Sequence, residues 1–323
     1  MKILARTSHD EIAAVFLASL PGNRLIEFVE STQPPLTRDL KWVLIISTLC
    51  GCPIKCPICD AGGEYQGPLS TDEILQQIEW MVRNRFPDGQ VKTAKFKIQF
   101  SRMGEPAFNP AVPDVLERLP QLYPIPGLLP SLSTVAPASC EDFFDRLLYV
   151  RRKYYAGNFQ MQFSLHTTDE EERESLIPAK IWDFRKISSY ADSFFRQGDK
   201  KITLNFALAS GSSFKPERLL DHFAPDRFIL KLTPLNPTYR AMENGLRSYI
   251  TGCRTSYPSI DQARNLGYEV LLSIGEQREN LIGSNCGQYV RRHQSLQAAP
   301  PDSYTYALEH AELSNPTKTE EAE

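Results

Sequence analysis

The chain has 323 residues, of which 41% are hydrophobic and 10% aromatic, so it can bury a sizeable core. Its 36 basic and 39 acidic residues give a net charge of −3, and acidic residues are concentrated after Pro301, which leaves the remainder nearly neutral. This composition argues against a protein that binds nucleic acid through a strong overall basic field. The sequence also contains no apolar run near the ~20 residues that cross a bilayer, so no membrane partner is expected.

Short strand-like runs alternate with amphipathic segments along the chain. Residues 24–30 predict a small β-rich lid or hairpin before the main series. Ser70 and Glu73 form an S-x-x-E capping box, which predicts that a helix begins there. Strands are predicted at residues 42–47, 96–101, 129–134, 159–165, 202–208, 228–235 and 269–274, and further helices at 141–154, 182–196 and 259–266.

Six strand–helix units in succession imply a parallel sheet with functional residues at the carboxyl ends of its strands. We therefore predict an α/β protein whose core, residues 38–294, is a partial (β/α)6 barrel of TIM type, with a C-terminal strand and a loop that carries Cys286. A small β-rich extension, residues 1–37, precedes this core. Residues 295–323 are rich in proline, alanine and glutamate, and we expect a disordered acidic tail there.

Four of the seven cysteines, Cys50, Cys52, Cys56 and Cys59, lie within ten positions. Such crowding predicts a metal site in a reducing compartment, and hence a cytoplasmic protein, rather than a disulfide framework. The C-x3-C-x2-C run from Cys52 to Cys59 offers three thiolates to one soft metal centre. A [4Fe–4S] cluster normally takes four cysteines, so three would leave one iron open to another ligand. The alternative is a structural zinc site with Cys50 as fourth ligand, but the second cysteine pair typical of such sites does not follow in the sequence.

Polar residues follow several of the other predicted strands. Gly104 and Glu105 stand in a Met-Gly-Glu-Pro run, where glycine permits close approach of a ligand and the carboxylate can accept hydrogen bonds from an ammonium group. Taken singly, each such residue is compatible with an ordinary turn or a structural histidine. Together they place polar groups at one edge of the sheet, beside the cysteine run. The other members of this set are Ser133, Ser164, His166 and Asn236.

These motifs, in this order, resemble the RlmN/Cfr group of radical S-adenosylmethionine (SAM) methyltransferases, which methylate adenine carbons in rRNA and tRNA. The resemblance runs from Glu27 to about Tyr289. It implies a radical SAM barrel that carries a [4Fe–4S] cluster on Cys52, Cys56 and Cys59 and uses SAM, which is cleaved to a 5′-deoxyadenosyl radical by an electron from a donor such as flavodoxin or ferredoxin. The SAM contacts it implies come from Gly104, Glu105, Ser133, Ser164, Leu165, His166 and Asn236.

The resemblance also implies two catalytic residues. Cys286, in a Cys-Gly-Gln run, matches the cysteine that family members first methylate and then use to carry the methyl group to an sp² carbon. A thiol with this role must reach an open site as a reactive thiolate. Glu27 matches the carboxylate proposed as proton acceptor.

Two features differ from the family pattern. Ile45 occupies the position of the cysteine that resolves the enzyme–substrate crosslink, and Cys50 is the nearest alternative. About twenty residues precede the Glu27 region, where family members carry an RNA-engaging domain of many tens of residues. This difference argues against an RNA partner, although the basic runs at residues 151–155 and 291–293 are candidate contacts beside the simpler interpretation of solvated helix faces.

Three hypotheses follow for the function. The first is a methyltransferase that acts through Cys286 on an RNA adenine or a smaller heteroaromatic substrate. The second is a radical SAM enzyme of small-molecule biosynthesis without methyl transfer. The third is a metal-cluster RNA-binding module without catalysis, which the matched cofactor contacts disfavour.

Overall fold

One eleven-stranded sheet runs through the computed structural model, which describes residues 1–32, 36–251, 256–274, 277–285, 288–294 and 304–310. The strand order is β10-β9-β8-β7-β6-β5-β4-β3-β2-β1-β11. The strands are β1 Lys2–His9, β2 Ala13–Leu20, β3 Arg24–Ser31, β4 Trp42–Ile46, β5 Phe96–Phe100, β6 Leu128–Thr134, β7 Gln160–Ser164, β8 Ile202–Leu208, β9 Phe228–Pro234, β10 Glu269–Leu272 and β11 Glu309–His310.

The helices lie mainly in the links between the parallel strands. None of those in the described part of the chain is long and apolar enough to span a membrane. They are α1 Thr71–Arg85, α2 Ala111–Leu122, α3 Glu141–Tyr154, α4 Glu170–Leu176, α5 Phe184–Phe194, α6 Tyr239–Glu243, α7 Pro258–Asn265, α8 Gln277–Ile282 and α9 Tyr289–Gln294, with short 3-10 helices at Pro106–Phe108 and Pro216–Asp221.

The parallel part of the sheet confirms the predicted α/β fold. Strands β4 to β10 pair with one another in chain order, and every pairing among them is parallel. Each link returns the chain to the edge of the sheet at which the strands begin. All seven carboxyl ends therefore lie together at the opposite edge. The cysteine run follows β4 and therefore lies at that edge.

The N-terminal region is larger than the predicted lid or hairpin. Strands β1, β2 and β3 form an antiparallel meander, and β3 pairs antiparallel with β4, so the meander continues the main sheet. Strand β2, with the sequence AAVFLASL, is buried along almost its whole length. A strand buried on both faces has no polar–apolar alternation, which is why the pattern did not reveal it.

Part of the predicted disordered tail is ordered, which corrects the prediction for residues 304–310. Strand β11 pairs antiparallel with β1, where His310 is opposite Ala5. Tyr304 is 1% exposed and its ring stacks on that of Tyr239. One buried aromatic residue fixes this segment, whereas the prediction used only the average composition. The other residues of 295–323 are outside the described part of the chain.

The two faces of the sheet differ in character. One face packs against the helices and forms the main apolar core, which includes Phe100, Phe163 and Phe206. Side chains alternate between the two faces along each strand. The residues next to these phenylalanines on their own strands therefore point to the opposite face. In the parallel strands many of those residues are polar, among them Ser133 and Gln162, whose side chains hydrogen-bond at 3.0 Å. A polar face open toward the carboxyl edge is suited to a polar ligand.

A second, smaller apolar cluster covers the meander end of that opposite face. It joins Val15 and Val29 of β2 and β3 to Ile282 of α8 and Tyr289 of α9. The C-terminal helices thus pack back across the sheet, near the strand that precedes the cysteine run.

Candidate active site

The cysteine loop and the Met-Gly-Glu-Pro loop contact each other directly. They follow the neighbouring strands β4 and β5. The backbone amide of Thr48 donates to the Met103 carbonyl at 2.9 Å, and the Gly51 amide donates to the Met103 Sδ at 3.2 Å. The structure therefore brings together the first two motifs that the sequence analysis singled out.

Helix α6 binds the backbone of the cysteine loop. Arg240 donates from Nε to the Cys56 carbonyl at 3.2 Å and from Nη2 to the Lys55 carbonyl at 3.1 Å. Thr238, the N-cap residue of α6, donates its hydroxyl to the Ile58 carbonyl at 3.0 Å. Asn244 donates to the next carbonyl in the series, that of Pro57, at 3.4 Å. Four consecutive carbonyls of the loop thus have partners on one short helical segment, which fixes the loop's shape.

Asp60, directly after the last cysteine of the motif, is the second anchor of the loop. It is 3% exposed, and its carboxylate accepts the backbone amides of Tyr239 at 3.1 Å and Arg240 at 2.9 Å. The Arg291 guanidinium and the Tyr304 hydroxyl also donate to this carboxylate, each at 3.2 Å. Asp60 therefore joins the cysteine loop to α6, to α9 and to the ordered C-terminal segment.

The environment of the cysteines disfavours ionised thiols when no metal ion is bound. Burial raises the pKa of the Cys52 thiol. Burial, followed by the proximity of Cys52 and Glu105, raises the pKa of the Cys56 thiol to about 12. A bound cation reverses this tendency because it stabilises the thiolate. Cys59 lies on the same loop and is partly exposed.

Cysteine thiolates are ligands for iron–sulfur clusters and also for zinc. Within the described ranges, no three His, Cys, Asp or Glu side chains stand close enough to share one metal ion. The thiolates of a [4Fe–4S] cluster bind different irons, so they need not converge on a single point. Cys50 is 2% exposed, and its thiol hydrogen-bonds the Leu25 carbonyl and the Gln66 side chain, both at 3.2 Å. It does not complete a four-cysteine set.

Glu105 is buried and its carboxylate holds the ends of two strands together. It accepts hydrogen bonds from the Thr134 hydroxyl at 2.5 Å, the Val135 amide at 2.9 Å and the Ala107 amide at 3.0 Å. Burial raises its pKa to about 6, although these three hydrogen bonds act to lower it. A carboxylate offers about four acceptor positions, so roughly one remains for a ligand ammonium group. The predicted SAM contact from this side chain therefore stays a prediction.

Gly104 adopts a backbone conformation that favours glycine. Its φ is 94°, and a Cβ placed there would overlap the side chain of Leu49 from the β4 loop. The residue thus allows the two loops to approach each other closely.

The predicted SAM contacts on β6 and β7 lie at adjacent strand ends. Ser133 is opposite Gln162, and Ser164 on the same strand as Gln162 is opposite Asn205 of β8. Leu165 is fully buried in the main core, and its backbone amide donates to the Asn205 carbonyl at 2.9 Å. Asn236 is partly exposed after β9 and lines a small cavity with Tyr304.

His166 has φ 68°, and its Nδ1 accepts the Ala207 amide at 3.2 Å. Burial, together with the nearby Arg173, lowers its pKa to about 4, so the ring is neutral near pH 7. With Nδ1 accepting a hydrogen bond, the proton is on Nε2, which makes Nε2–H a donor for a ligand.

A cavity of about 920 Å³ opens beside the cysteine loop. Its lining includes Met103 and Cys50 from the two motif loops, Tyr65, and the basic residues Lys55, Arg240 and Arg291. Tyr65 is 41% exposed. The cavity therefore offers an aromatic ring and positive charge next to the cysteines, and its volume suits a substrate of nucleotide size.

Glu27, which the sequence analysis matched to a proton acceptor, lies on β3 in contact with Arg102 and the start of α9, and its role as proton acceptor stays a prediction. Its side chain is completely buried and forms an ion pair with Arg102. The other carboxylate oxygen accepts the Val290 amide at 3.0 Å. With no exposed surface and these partners, the carboxylate does not face the cavity.

Cys286 is outside the described residues, whereas its neighbours Asn285 and Gln288 are within them. Ile45, at the position of the family's resolving cysteine, packs against the second apolar cluster. In the basic run at 151–155, Arg151 is buried and paired with Asp199, so this residue supports the fold and does not offer a free RNA contact.

Three important residues of the site were missed by the sequence analysis: Asp60, Arg240 and Arg102. Asp60 directly follows the cysteine motif, and this adjacency was the available signal. Arg240 lies on helix α6 and Arg102 on the loop after β5, and their partners are distant in the sequence, so only the folded structure identifies them.

Comparison with known proteins gives relatives along most of the chain, although no family model matches it. The probable dual-specificity RNA methyltransferase RlmN of Parafrankia sp. (strain EAN1pec) is 27% identical over 280 residues, which are 79% of this chain and 65% of that protein. The probable dual-specificity RNA methyltransferase RlmN of Streptomyces griseus subsp. griseus is 28% identical over 244 residues, 71% of this chain and 62% of that protein. The chain thus spans less than two thirds of either relative.

Among solved structures, a radical SAM methyltransferase from Sphaerobacter thermophilus is similar, with a TM-score of 0.61 over 85% of this chain and 78% of that one. At 19% identity, this similarity concerns the fold. It agrees with the parallel sheet described above.

Proposed function

We propose that this chain, which is similar in sequence to RlmN-type RNA methyltransferases and in fold to a radical SAM methyltransferase, is a radical SAM enzyme that transfers a methyl group to an sp² carbon through Cys286. The observation that carries this proposal is the cysteine loop, whose four consecutive carbonyls are bound by α6 beside the Met-Gly-Glu-Pro loop and a cavity of about 920 Å³.

Cys52, Cys56 and Cys59 would hold a [4Fe–4S] cluster. When bound, such a cluster would supply the electron that cleaves SAM. Around it, Gly104 lets the two motif loops approach each other closely, and neutral His166 offers its Nε2–H. Ser133, Ser164 and Asn236 present further polar groups at the same edge of the sheet. The electron donor would be a small reducing protein such as flavodoxin or ferredoxin.

The substrate would enter the cavity. Tyr65 offers a ring on which a heteroaromatic base can stack, and Lys55 offers positive charge to anionic groups. An RNA adenine and a smaller heteroaromatic compound share this chemistry. A gel shift with rRNA fragments at two salt concentrations, beside competition by free nucleotides, distinguishes them, since a purely electrostatic RNA affinity falls steeply with salt.

The test of the cofactor is anaerobic reconstitution with iron and sulfide. We expect about four iron and four sulfide per chain, with formation of 5′-deoxyadenosine when SAM and a reductant are added. Alanine at Cys52, Cys56 or Cys59 should abolish both. Zinc without sulfide, or a redox-active cluster that never yields 5′-deoxyadenosine, would contradict the proposal and favour a binding module.

The test of methyl transfer is the mass of the intact reconstituted protein after incubation with SAM. We expect one added methyl group that is lost in Cys286→Ala, and the cluster content of this variant should match that of the wild type. A protein that makes 5′-deoxyadenosine without gaining mass is not a methyl carrier.

A second candidate is a radical SAM enzyme that does not transfer a methyl group. The specific observation in its favour is Ile45, which packs in an apolar cluster at the position of the family's resolving cysteine. Without such a thiol, a methyl-transfer cycle needs another residue to release the covalent adduct. Cys50 lines the cavity and is the nearest alternative, so adduct release in Cys50→Ala distinguishes the two candidates.

A further inference from the structure

Glu27 and Arg102 form an ion pair that protein encloses on all sides. Their side chains are 0% and 1% exposed. Glu27 is on β3 and Arg102 follows β5, so the pair bridges the strand between them, β4, which leads into the cysteine loop. Replacement of a buried ion pair by apolar residues of similar volume is often neutral or stabilising. Stability alone therefore gives no reason for a charged pair at this place.

The hydrogen bonds of the pair are directed to one segment of backbone. Arg102 donates to the carbonyls of Gly283 at 2.8 Å and Ser284 at 3.0 Å, and also to that of Asn285. From the other side, Glu27 accepts the Val290 amide at 3.0 Å. The Gln288 side chain, 1% exposed, donates to the carbonyl of Arg102 itself at 3.1 Å.

We propose that the Glu27–Arg102 pair is a positioning device for Cys286, because it fixes the backbone both before and after this residue. Consecutive Cα atoms are about 3.8 Å apart, so anchoring Asn285 and Gln288 restricts where a thiol between them can be presented. Arg102 acts on the carbonyls before Cys286 and Glu27 on an amide after it. Both residues act through the backbone and neither contacts the substrate. This inference rests on the proposed function, methyl carriage by Cys286.

The first experiment measures the anchoring itself and needs no cofactor. Hydrogen–deuterium exchange of peptides that cover residues 283–290 is compared in the wild type, Glu27→Gln and Arg102→Met. Because hydrogen bonds to charged groups are lost, we expect about tenfold faster exchange in both variants. Arg151→Met is the matched control. It breaks the Arg151–Asp199 pair, whose side chains are 3% and 12% exposed, on the outer helix α3, so it should leave residues 283–290 unchanged.

The variant Arg102→Lys distinguishes the charge paired with Glu27 from the hydrogen bonds that anchor the carbonyls of residues 283–285. Lysine keeps the positive charge opposite Glu27 but lacks the planar fork that lets arginine reach several carbonyls together. We expect a melting temperature close to that of the wild type, while exchange at 283–290 remains fast. If Arg102→Lys restores slow exchange, the pair is a charge-pairing device only, and the positioning role is overturned.

The second experiment measures the chemical consequence in the reconstituted enzyme. It compares the rate of Cys286 methylation with the rate of reductive SAM cleavage in the absence of substrate, followed as released methionine, because this cleavage needs an electron and not the methyl group on Cys286. A displacement of about 1 Å can cost a reaction as much as a hundredfold, so we expect the ratio of the two rates to fall at least about tenfold in Glu27→Gln and Arg102→Met. A purely structural role would lower both rates together, as in Arg151→Met.

The outcomes separate this inference from the proposed function. Unchanged exchange at 283–290 overturns the anchoring, and faster exchange with an unchanged rate ratio overturns the positioning of Cys286. A wild-type enzyme that forms 5′-deoxyadenosine but never methylates Cys286 refutes methyl carriage, and with it the role in positioning a methyl carrier, whatever the exchange data show.

Discussion

Asp60 and Arg240 are 180 residues apart in the sequence, yet the Asp60 carboxylate accepts the Arg240 backbone amide at 2.9 Å. Asp60 thereby caps the start of α6, and Arg240 in return binds the carbonyls of Lys55 and Cys56. The cysteine loop and the helix hold each other in place, and this reciprocal contact is the central structural feature of the candidate site.

Asp60→Asn should weaken iron retention. Asparagine keeps the size of the side chain and one acceptor oxygen. It loses the negative charge that binds Arg291, and it loses the second oxygen, so one of the two backbone amides has no acceptor. We expect iron to be released to a chelator several times faster than from the wild type. Asp183→Asn is the control, because Asp183 caps α5 in the same manner through the Lys186 amide, away from the cysteines. Equal iron release from both variants would refute a specific role of Asp60.

Gly104→Ala should disrupt the contact between the two motif loops. The methyl group overlaps Leu49, and the φ of 94° is unfavourable for alanine. We expect a loss of about 3 kcal/mol or more in the free energy of unfolding, measured with urea. Gly89→Ala isolates the conformational part, since its φ is 73° and nothing lies within 4 Å, and it should lose only about 1–2 kcal/mol. If overlap with Leu49 causes the larger loss in Gly104→Ala, the double variant Leu49→Ala/Gly104→Ala should recover part of that lost unfolding free energy.

His166 should make the protein less stable in mild acid. Its pKa is lowered to about 4 in the folded state, against about 6.5 in the unfolded chain. Between these values the unfolded state takes up the proton first, so stability falls as the pH falls from about 6.5 to 4, by at most about 3 kcal/mol. His166→Asn tolerates the positive φ and removes this dependence. The difference in unfolding free energy between wild type and variant should therefore change over this pH range, and a constant difference would contradict the assignment.

Lys97→Met should stabilise the fold near neutral pH. Burial, followed by the proximity of Lys231 and other lysines, lowers the pKa of Lys97 to about 7. Because the unfolded state binds this proton more tightly, the lysine destabilises the folded state below pH ~10. We expect a gain of at most about 4 kcal/mol at pH 7 that shrinks as the pH rises toward 10. Lys92→Met, on an exposed side chain that pairs with Asp88, should show neither effect.

The parallel core could be predicted from the sequence because its strands are local features. The seven predicted strands agree with β4 to β10 to within about two residues, and α3 begins and ends where its amphipathic pattern does. Helix α2 was not predicted, since it contains Pro113 and Pro120. Pro113 lies in the first turn, where proline is tolerated, and Pro120 lies near the end of the helix.

The candidate site could be predicted only in its local motifs. The residues at strand ends were found because parallel strands bring their carboxyl ends to one edge. The contacts of Asp60 with Arg240 and of Glu27 with Arg102 depend on tertiary packing, to which no local pattern corresponds. Glu27 shows the same limit, because its motif predicted a catalytic role, whereas only the folded structure identifies Arg102 as its partner in an enclosed ion pair.

The hydrogen bonds between α6 and the cysteine loop have a consequence for metal loading. The loop loses its conformational freedom when the chain folds, so iron would meet a frame whose shape is already set and would not have to induce it. Metal-stripped protein should then keep its secondary structure and melt cooperatively, unlike zinc fingers that unfold without metal. Damage to the cofactor by oxygen would be repairable on the intact protein, with no need for a new round of synthesis.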